Sequence, residues 1–257
     1  MKHILVCVKA VPVSSSVEVD GQHRLKRDGA SLQWNIADES ALEAAFRLAD
    51  KDGSVTVLTM GPPKLEGPLL ELLARGANRA VLITDRLMAG ADTRATARAL
   101  ASAAALGPFD AVFCGCKAID GETGQVPGEL AAALGLPCIS NAEKVEAAGD
   151  ELLVTRRLED GVQNLTVSGP AVISFSSYSY PLRLAGILGM RRARKTPVEI
   201  LTAADLGLTP EDCGLKGSLT KVVAMESRFP GLRRGPKETD LDAGVQNLRV
   251  LLREVRP

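Results

Sequence analysis

The sequence predicts a doubly wound α/β fold with a mainly parallel sheet and an extended C-terminal arm. Short β-branched runs alternate with helical patterns through the first two-thirds of the 257 residues, as in a parallel sheet covered on both faces. Gly, Asp or Thr marks many of the strand–helix junctions. After Pro197 the alternation fades into a loop-rich tail. Composition agrees: 46% of residues are hydrophobic and formal charge is zero. That suits one sizeable domain with appendages and argues against nucleic acid as the main partner. No apolar run reaches the roughly 20 residues of a membrane helix. Five cysteines without regular spacing fit a reducing, cytoplasmic setting.

Ile4–Val8 reads as the first core strand, and Val17–Arg27 as a hairpin excursion around Gly21-Gln22. Asp38 is placed to cap a helix through Leu42, Ala45, Phe46 and Ala49. Val55–Thr59 is a strand, and a helix through Leu69, Leu70, Leu72 and Leu73 stops at Gly76. Ala80–Ile83 is the next strand, and Thr93 can cap an Ala-rich helix ending near Gly107. Ala111–Cys114 is a strand leading to Asp120–Gln125, and a helix over Leu130–Leu134 is closed by Gly135. Leu152–Arg157, Gln163–Val167 and Ala171–Phe175 read as strands. A helix through Ile187, Met190 and Ala193 and an amphipathic helix over Asp240–Arg253 complete the chain. The expected division is an α/β domain over 1–196 and an arm over 197–257 with little core of its own, an extension that lies on something else, such as a second subunit.

Ligands of such sheets lie at the carboxyl ends of the strands, which directs attention to Lys9–Pro12, Met60–Pro63, Asp85–Thr93 and Gly115–Gln125. In the last of these, Gly121 and Gly124 allow close approach, and Thr123 is placed to cap the following helix. Pro127 falls in that helix's first turn, whose free N–H groups favour a phosphate. Asp120 can accept from ribose hydroxyls, and Gln125 can donate and accept. Gly90-Ala91-Asp92-Thr93 supplies a second capped helix start, with Thr96 one turn on. Asn35 and Asp38 could read an adenine edge or a ribose, or simply cap their helix. Lys9 could neutralise a phosphate. The P-loop pattern and the Gly-x-Gly-x-x-Gly fingerprint are missing. The two histidines lack obvious partners, and Cys114 and Cys116 lack further ligands at metal spacing. The expectation is a binding site with no catalytic residue and no metal, a carrier of cofactor chemistry.

Several stretches together resemble the β-subunit family of electron-transfer flavoproteins. They are Cys7–Pro12, Asn35–Ala45 (NIADESALEAA), Gly115–Ala131 (GCKAIDGETGQVPGELA) and Val154–Ser174 (VTRRLEDGVQNLTVSGPAVIS). The last agrees with the family's diagnostic pattern of a basic residue, an acidic-Gly turn, a Gln, and a Pro before an apolar pair. The resemblance implies a heterodimer with an α-type subunit carrying FAD, exchanging electrons with a dehydrogenase such as an acyl-CoA dehydrogenase. In one branch of the family this pocket holds AMP. In an electron-bifurcating branch it holds the adenosine end of a second FAD that takes hydride from NADH. Met60-Gly61-Pro62-Pro63 and Asp85–Thr96 resemble the bifurcating branch. On this reading the pocket comprises Cys7, Val8, Lys9, Asn35, Asp38, Met60, Gly61, Gly90, Ala91, Asp92, Thr93, Thr96, Gly115, Asp120, Gly121, Thr123, Gly124, Gln125 and Val126. Leu184 resembles the apolar anchor for the dehydrogenase, with Ile187 and Arg191 beside it; Leu184 also reads as a core residue at a helix start. Pro127-Gly128 replaces the family's usual Gly-Pro, Ala89 its Gly, and Ser177–Pro181 its Asn-x-Pro-Arg stretch. A stand-alone nucleotide sensor of the universal-stress type would share the layout, but the combination it would normally show, a Gly-x-x-Gly loop with a later Gly-Ser/Thr, is not found. An ATP-pyrophosphate-cleaving enzyme would need a Ser-Gly-Gly-x-Asp-Ser loop that is also missing.

Overall fold

A computed structural model describes residues 2–13, 18–19, 25–26, 31–49, 52–223 and 239–254. The chain divides into two compact units, Met1–Val223 and Ala224–Pro257. In the first, β1 (His3–Cys7) is followed by four short strands, β2 (Ala10–Pro12), β3 (Glu18–Val19), β4 (Leu25–Lys26) and β5 (Leu32–Trp34). β2 pairs with β5 and β3 with β4, both antiparallel. The hairpin expected over Val17–Arg27 thus has its two strands, while its turn lies outside the described residues. Then come α1 (Ile36–Ala49), β6 (Ser54–Met60), α2 (Glu66–Arg75), β7 (Arg79–Ile83), α3 (Thr93–Ala104), β8 (Ala111–Gly115) and α4 (Val126–Leu134). The unit continues with β9 (Cys138–Ala148), β10 (Glu151–Leu158), β11 (Gly161–Ser168), β12 (Val172–Phe175), α5 (Ile187–Ala193), β13 (Glu199–Leu201) and the short α6 (Gly214–Gly217).

Nine strands form one sheet in the order β11-β10-β9-β12-β8-β1-β6-β7-β13. From β9 to β13 the neighbours run parallel, while β9, β10 and β11 form an antiparallel extension. Side-chain alternation splits the core into two layers. Ile4 and Val6 face the layer with Leu42, Phe46, Leu69 and Leu72 of α1 and α2. Leu5 and Cys7 face the layer with Ala97, Leu100, Leu130 and Ala131 of α3 and α4. Fully buried Ala41, Ala45 and Ala97 let the helices sit close to the sheet. Gly76 (φ 144°) and Gly135 (φ 66°) end α2 and α4 in backbone conformations that side chains with a Cβ rarely adopt. The expected doubly wound, mainly parallel α/β layout is therefore present.

Sequence patterning missed β9, which runs over 11 residues. Its partner β12 pairs Ile173 with Ile139 but Phe175 with Ala142, so β9 carries an extra residue at a bulge. The bulge breaks the two-residue period that announces a strand. Asn141, within it, takes a left-handed backbone (φ 58°). β13 was likewise unforeseen: it adds a parallel edge strand to β7, with Arg79 bonded to Glu199 at 2.6 Å. Leu201, Ala203, Leu206 and Cys213 then join the α3/α4 layer, so residues 197–223 lie within the first unit. In the second unit, α7 (Leu241–Glu254) is amphipathic, and Leu241, Val245, Leu248, Leu251 and Leu252 are exposed. No helix among the described residues is long and apolar enough to cross a membrane.

Candidate functional site

The order β12-β8-β1-β6 places the reversal of strand order between β1 and β8. Two loops diverge there and open a crevice, the usual ligand position of such sheets. Asp38 ties them together. Its carboxylate accepts the Lys9 N–H at 2.8 Å and the Gly115 N–H at 2.8 Å. At Gly115 a Cβ would lie 2.4 Å from the Asp38 Oδ1, so only glycine lets the carboxylate reach that amide. Burial pushes the Asp38 carboxyl up to about 6, and the bonds from Lys9, Asn35 and Gly115 pull against it. Asn35, also buried, donates from Nδ2 to the Lys117 carbonyl at 3.0 Å and accepts the Ile119 N–H at 3.3 Å. Both side chains spend their polar atoms on the backbone of the two loops. Asn35 holds the position before α1 and its carbonyl accepts the Glu39 N–H, but its side chain is spent on the loop, while Asp38 lies inside the helix, which begins at Ile36.

The Lys9 ammonium meets Asp120 Oδ1 at 2.6 Å at the mouth of the crevice. Gly121, Thr123, Gly124 and Gln125 are exposed beyond it. Glu122 (φ 52°) and Gly124 (φ 62°) turn the loop back toward α4. Thr123 does not cap that helix. Gln125 takes the cap position without a side-chain bond, and α4 starts at Val126, four residues before the expected Leu130. The first-turn N–H groups of α4 therefore have no side-chain cap and face the loop. Cys7 and Val8 are buried, and burial together with the Asp38 charge pushes the Cys7 thiol up to about 12. Only their backbone can serve a ligand.

The α3 start is built differently from the sequence expectation. Asp92, not Thr93, is the cap: Oδ1 accepts the Ala95 N–H at 2.9 Å. Oδ2 accepts from the Leu219 and Thr220 amides and from Thr220 Oγ1. Thr93 instead donates to Glu129 Oε1 at 3.1 Å and joins α3 to α4, while Thr96 is half-buried one turn on. Gly90 (φ 75°) approaches Leu215 closely, and Ala91 follows it. Met60 ends β6, and the N–H of Gly61 after it bonds to the Ile83 carbonyl.

A groove of about 620 Å³ opens beside the same loop, lined by Lys117, Thr123, Gly124, Cys138, Asn141 and Ser174 among others. The Ser174 hydroxyl is buried there without a hydrogen-bond partner, an orphan that a ligand or water would satisfy. Cys138, Asn141 and Ser174 were not singled out from sequence, because the bulge that brings them together leaves no periodic signal. Elsewhere, Leu184 (86% exposed) and Ile187 (69%) point to solvent beside exposed Arg191, so Leu184 is no core residue.

The profile of the electron transfer flavoprotein domain matches residues 24–206. The chain is 42% identical, over 96% of each chain, to the electron transfer flavoprotein subunit beta of Thermoanaerobacterium thermosaccharolyticum. It is 40% identical to protein FixA of Azorhizobium caulinodans, over 93% of this chain and 88% of that one. It is 36% identical to the caffeyl-CoA reductase-Etf complex subunit CarD of Acetobacterium woodii, over 85% of each. These matches fit an electron-transfer subunit and not the nucleotide sensor that shares the layout. With a strand crossover bridged by Asp38 and relatives of this kind along nearly its whole length, the chain belongs to the electron transfer flavoprotein beta-subunit family.

Proposed function

We propose that this chain is the β-type subunit of a heterodimeric electron-transfer flavoprotein and that its β1/β8 crevice holds the adenosine end of a second FAD. AMP is the alternative occupant of the same crevice. The observation that supports this best is the Lys9–Asp120 pair beside the uncapped start of α4. Asp120 can accept from ribose hydroxyls. The Lys9 ammonium has three donors and spends one on Asp120, leaving two for a phosphate that the α4 amides also attract. Asn35 and Asp38 act here by shaping the loops rather than by touching adenine. The groove around Ser174 favours FAD over AMP, since it gives room beyond an adenosine monophosphate. FAD supplies the electron chemistry, and the protein holds it, orients it and limits its contact with water. NADH is the proposed reductant. The α-type subunit is the proposed lid of the crevice, and the arm with the apolar face of α7 is proposed to pack on it. The Acetobacterium woodii relative is named for a caffeyl-CoA reductase complex, which supports a dehydrogenase of CoA esters as the electron partner of this chain, docking at Leu184, Ile187 and Arg191.

Heat release of nucleotide from the complex co-purified with its α-type subunit tests this reading. Two FAD per heterodimer is the expected content; one FAD with one AMP selects the alternative, and a colourless chain that captures no partner overturns both. Asp120→Ala is expected to weaken retention of the crevice nucleotide about tenfold, one charge-assisted hydrogen bond, with far-UV circular dichroism unchanged. Equal nucleotide content in the variant refutes the ribose assignment.

A further inference from the structure

The segment that carries Leu184 and Ile187 is held by a charge cluster centred on one buried carboxylate of α1. Glu43 lies in the middle of α1, with its side chain only 5% exposed. Its carboxylate accepts three bonds from Arg183: the backbone N–H at 3.1 Å, Nε at 2.9 Å and Nη2 at 3.1 Å. It takes a fourth from Arg47 Nε at 3.0 Å. Burial alone would raise the Glu43 carboxyl, but the bonds from Arg183 and Arg47 outweigh it and hold the group below its ordinary value. The Arg183 guanidinium lies over the Phe46 ring at 4.8 Å, and Arg47 lies over Tyr180 at 5.1 Å. A buried carboxylate that engages both the fork and the amide of one arginine fixes that residue's backbone as well as its side chain.

α2 grips the same segment from the other side. The Arg183 carbonyl accepts from Arg75 Nη1 at 2.6 Å, and Arg192 Nη2 donates to the Leu73 carbonyl at 3.1 Å. At Gly189 an added Cβ would sit 2.0 Å from the Ala74 carbonyl oxygen, so α5 lies directly on the α2 backbone. The backbone of 181–193 is thereby pinned to α1 and α2. Yet Leu184, Ile187 and Leu188 are turned outward, the last 80% exposed. Exposed Arg191, Arg194 and Lys195 flank them. An apolar cluster held rigid in water with a basic rim suits a partner that offers an apolar pocket with an acidic border.

We propose that Glu43 is the positioning residue of this docking surface: through Arg183 it sets the angle at which Leu184 and Ile187 meet the dehydrogenase. This rests on the docking reading given above. The same helix holds the crevice at its other end through Asn35 and Asp38, so Glu43 serves docking while those two serve the nucleotide.

The test uses the whole heterodimer carrying Glu43→Gln, with a short-chain acyl-CoA dehydrogenase as the probe. Amide hydrogen exchange over 181–188 is expected to quicken roughly tenfold or more as the segment opens locally. The KM for the heterodimer as electron acceptor is expected to rise about tenfold, equivalent to one lost charge-assisted contact, with kcat and flavin content retained. Arg183→Lys keeps the surface charge but loses the fork; it should show the same split, and it carries the test if Glu43→Gln does not assemble. Unchanged exchange over 181–188 in the variant that assembles overturns the role of Glu43. Faster exchange with an unchanged KM, or a wild-type heterodimer that accepts no electrons from the probe, overturns the docking reading instead.

Discussion

Asp38 is a buried carboxylate held by amides, and its titration has a defined sign. In the unfolded chain it loses its proton near 3.8, whereas in the fold burial keeps the proton on until about 6. The folded state binds the proton more tightly. Its contribution to stability is therefore fully present below 3.8 and lost as pH rises to about 6. The loss is on the order of 2–3 kcal/mol for a shift of this size. Asp38→Asn should flatten the fall in thermal midpoint between those two pH values. It should also release part of the bound nucleotide, because an amide oxygen can serve only one of the two loop N–H groups while its NH₂ faces the other. A melting profile as steep as that of the wild type would show that another group titrates there. At this scale the sequence was half legible. Asn35, Asp38, Lys9 and Asp120 stood out as polar residues at strand ends and helix starts. That two of them bind loop backbone and two meet each other at the mouth depends on side-chain direction across the crevice, which residue type does not encode.

Among the elements, α3 has the most exposed dependence on a single residue. The Asp92 carboxyl is pushed up by burial but held below its ordinary value by bonds from the Ala95 amide, Thr220 and the Leu219 amide. A depressed carboxyl stabilises the fold above 3.8, and that stabilisation is lost as pH falls through the lower folded value. Asp92→Ala removes the α3 cap together with the carboxylate anchor of Leu219 and Thr220, and leaves the bond that the Asp92 N–H donates to the Ser218 Oγ. The expected cost is about 1–3 kcal/mol, read as a lower midpoint in urea, with faster amide exchange at Leu219 and Thr220. A midpoint within error of the wild type would show that Thr93 or solvent replaces the cap. Most elements could be read from periodicity, since a buried parallel strand and an amphipathic helix each impose a repeat on the chain. β9 could not, because its bulge interrupts the repeat, and β13 could not, because three residues are too few to show one. Thr93 and Asp92 both have capping chemistry, so only the backbone turn at Gly90 decides which oxygen reaches the helix.

At the scale of the whole molecule the chain divides into an α/β unit and a second unit whose helix carries exposed apolar side chains. Removing residues 239–257 should leave the thermal midpoint of the first unit nearly unchanged, because among the described residues its two core layers draw on residues up to Cys213. The same truncation should abolish co-purification with the α-type subunit, checked by size-exclusion chromatography; retention of the heterodimer would place the contact elsewhere. The sequence by itself determined the fold class, the order of most elements, the family and the loops in which to look for a ligand. Those properties follow from hydrophobic repeats and from local motifs, which are written along the chain. Only the tertiary structure decided that Asp38 ties two loops across the β1/β8 crossover, that Ser174 is left with an orphan hydroxyl, and that Glu43 reaches 140 positions along the chain to Arg183. Each of these joins residues distant in sequence, and their distances are set by sheet order, helix packing and one bulge rather than by any local pattern.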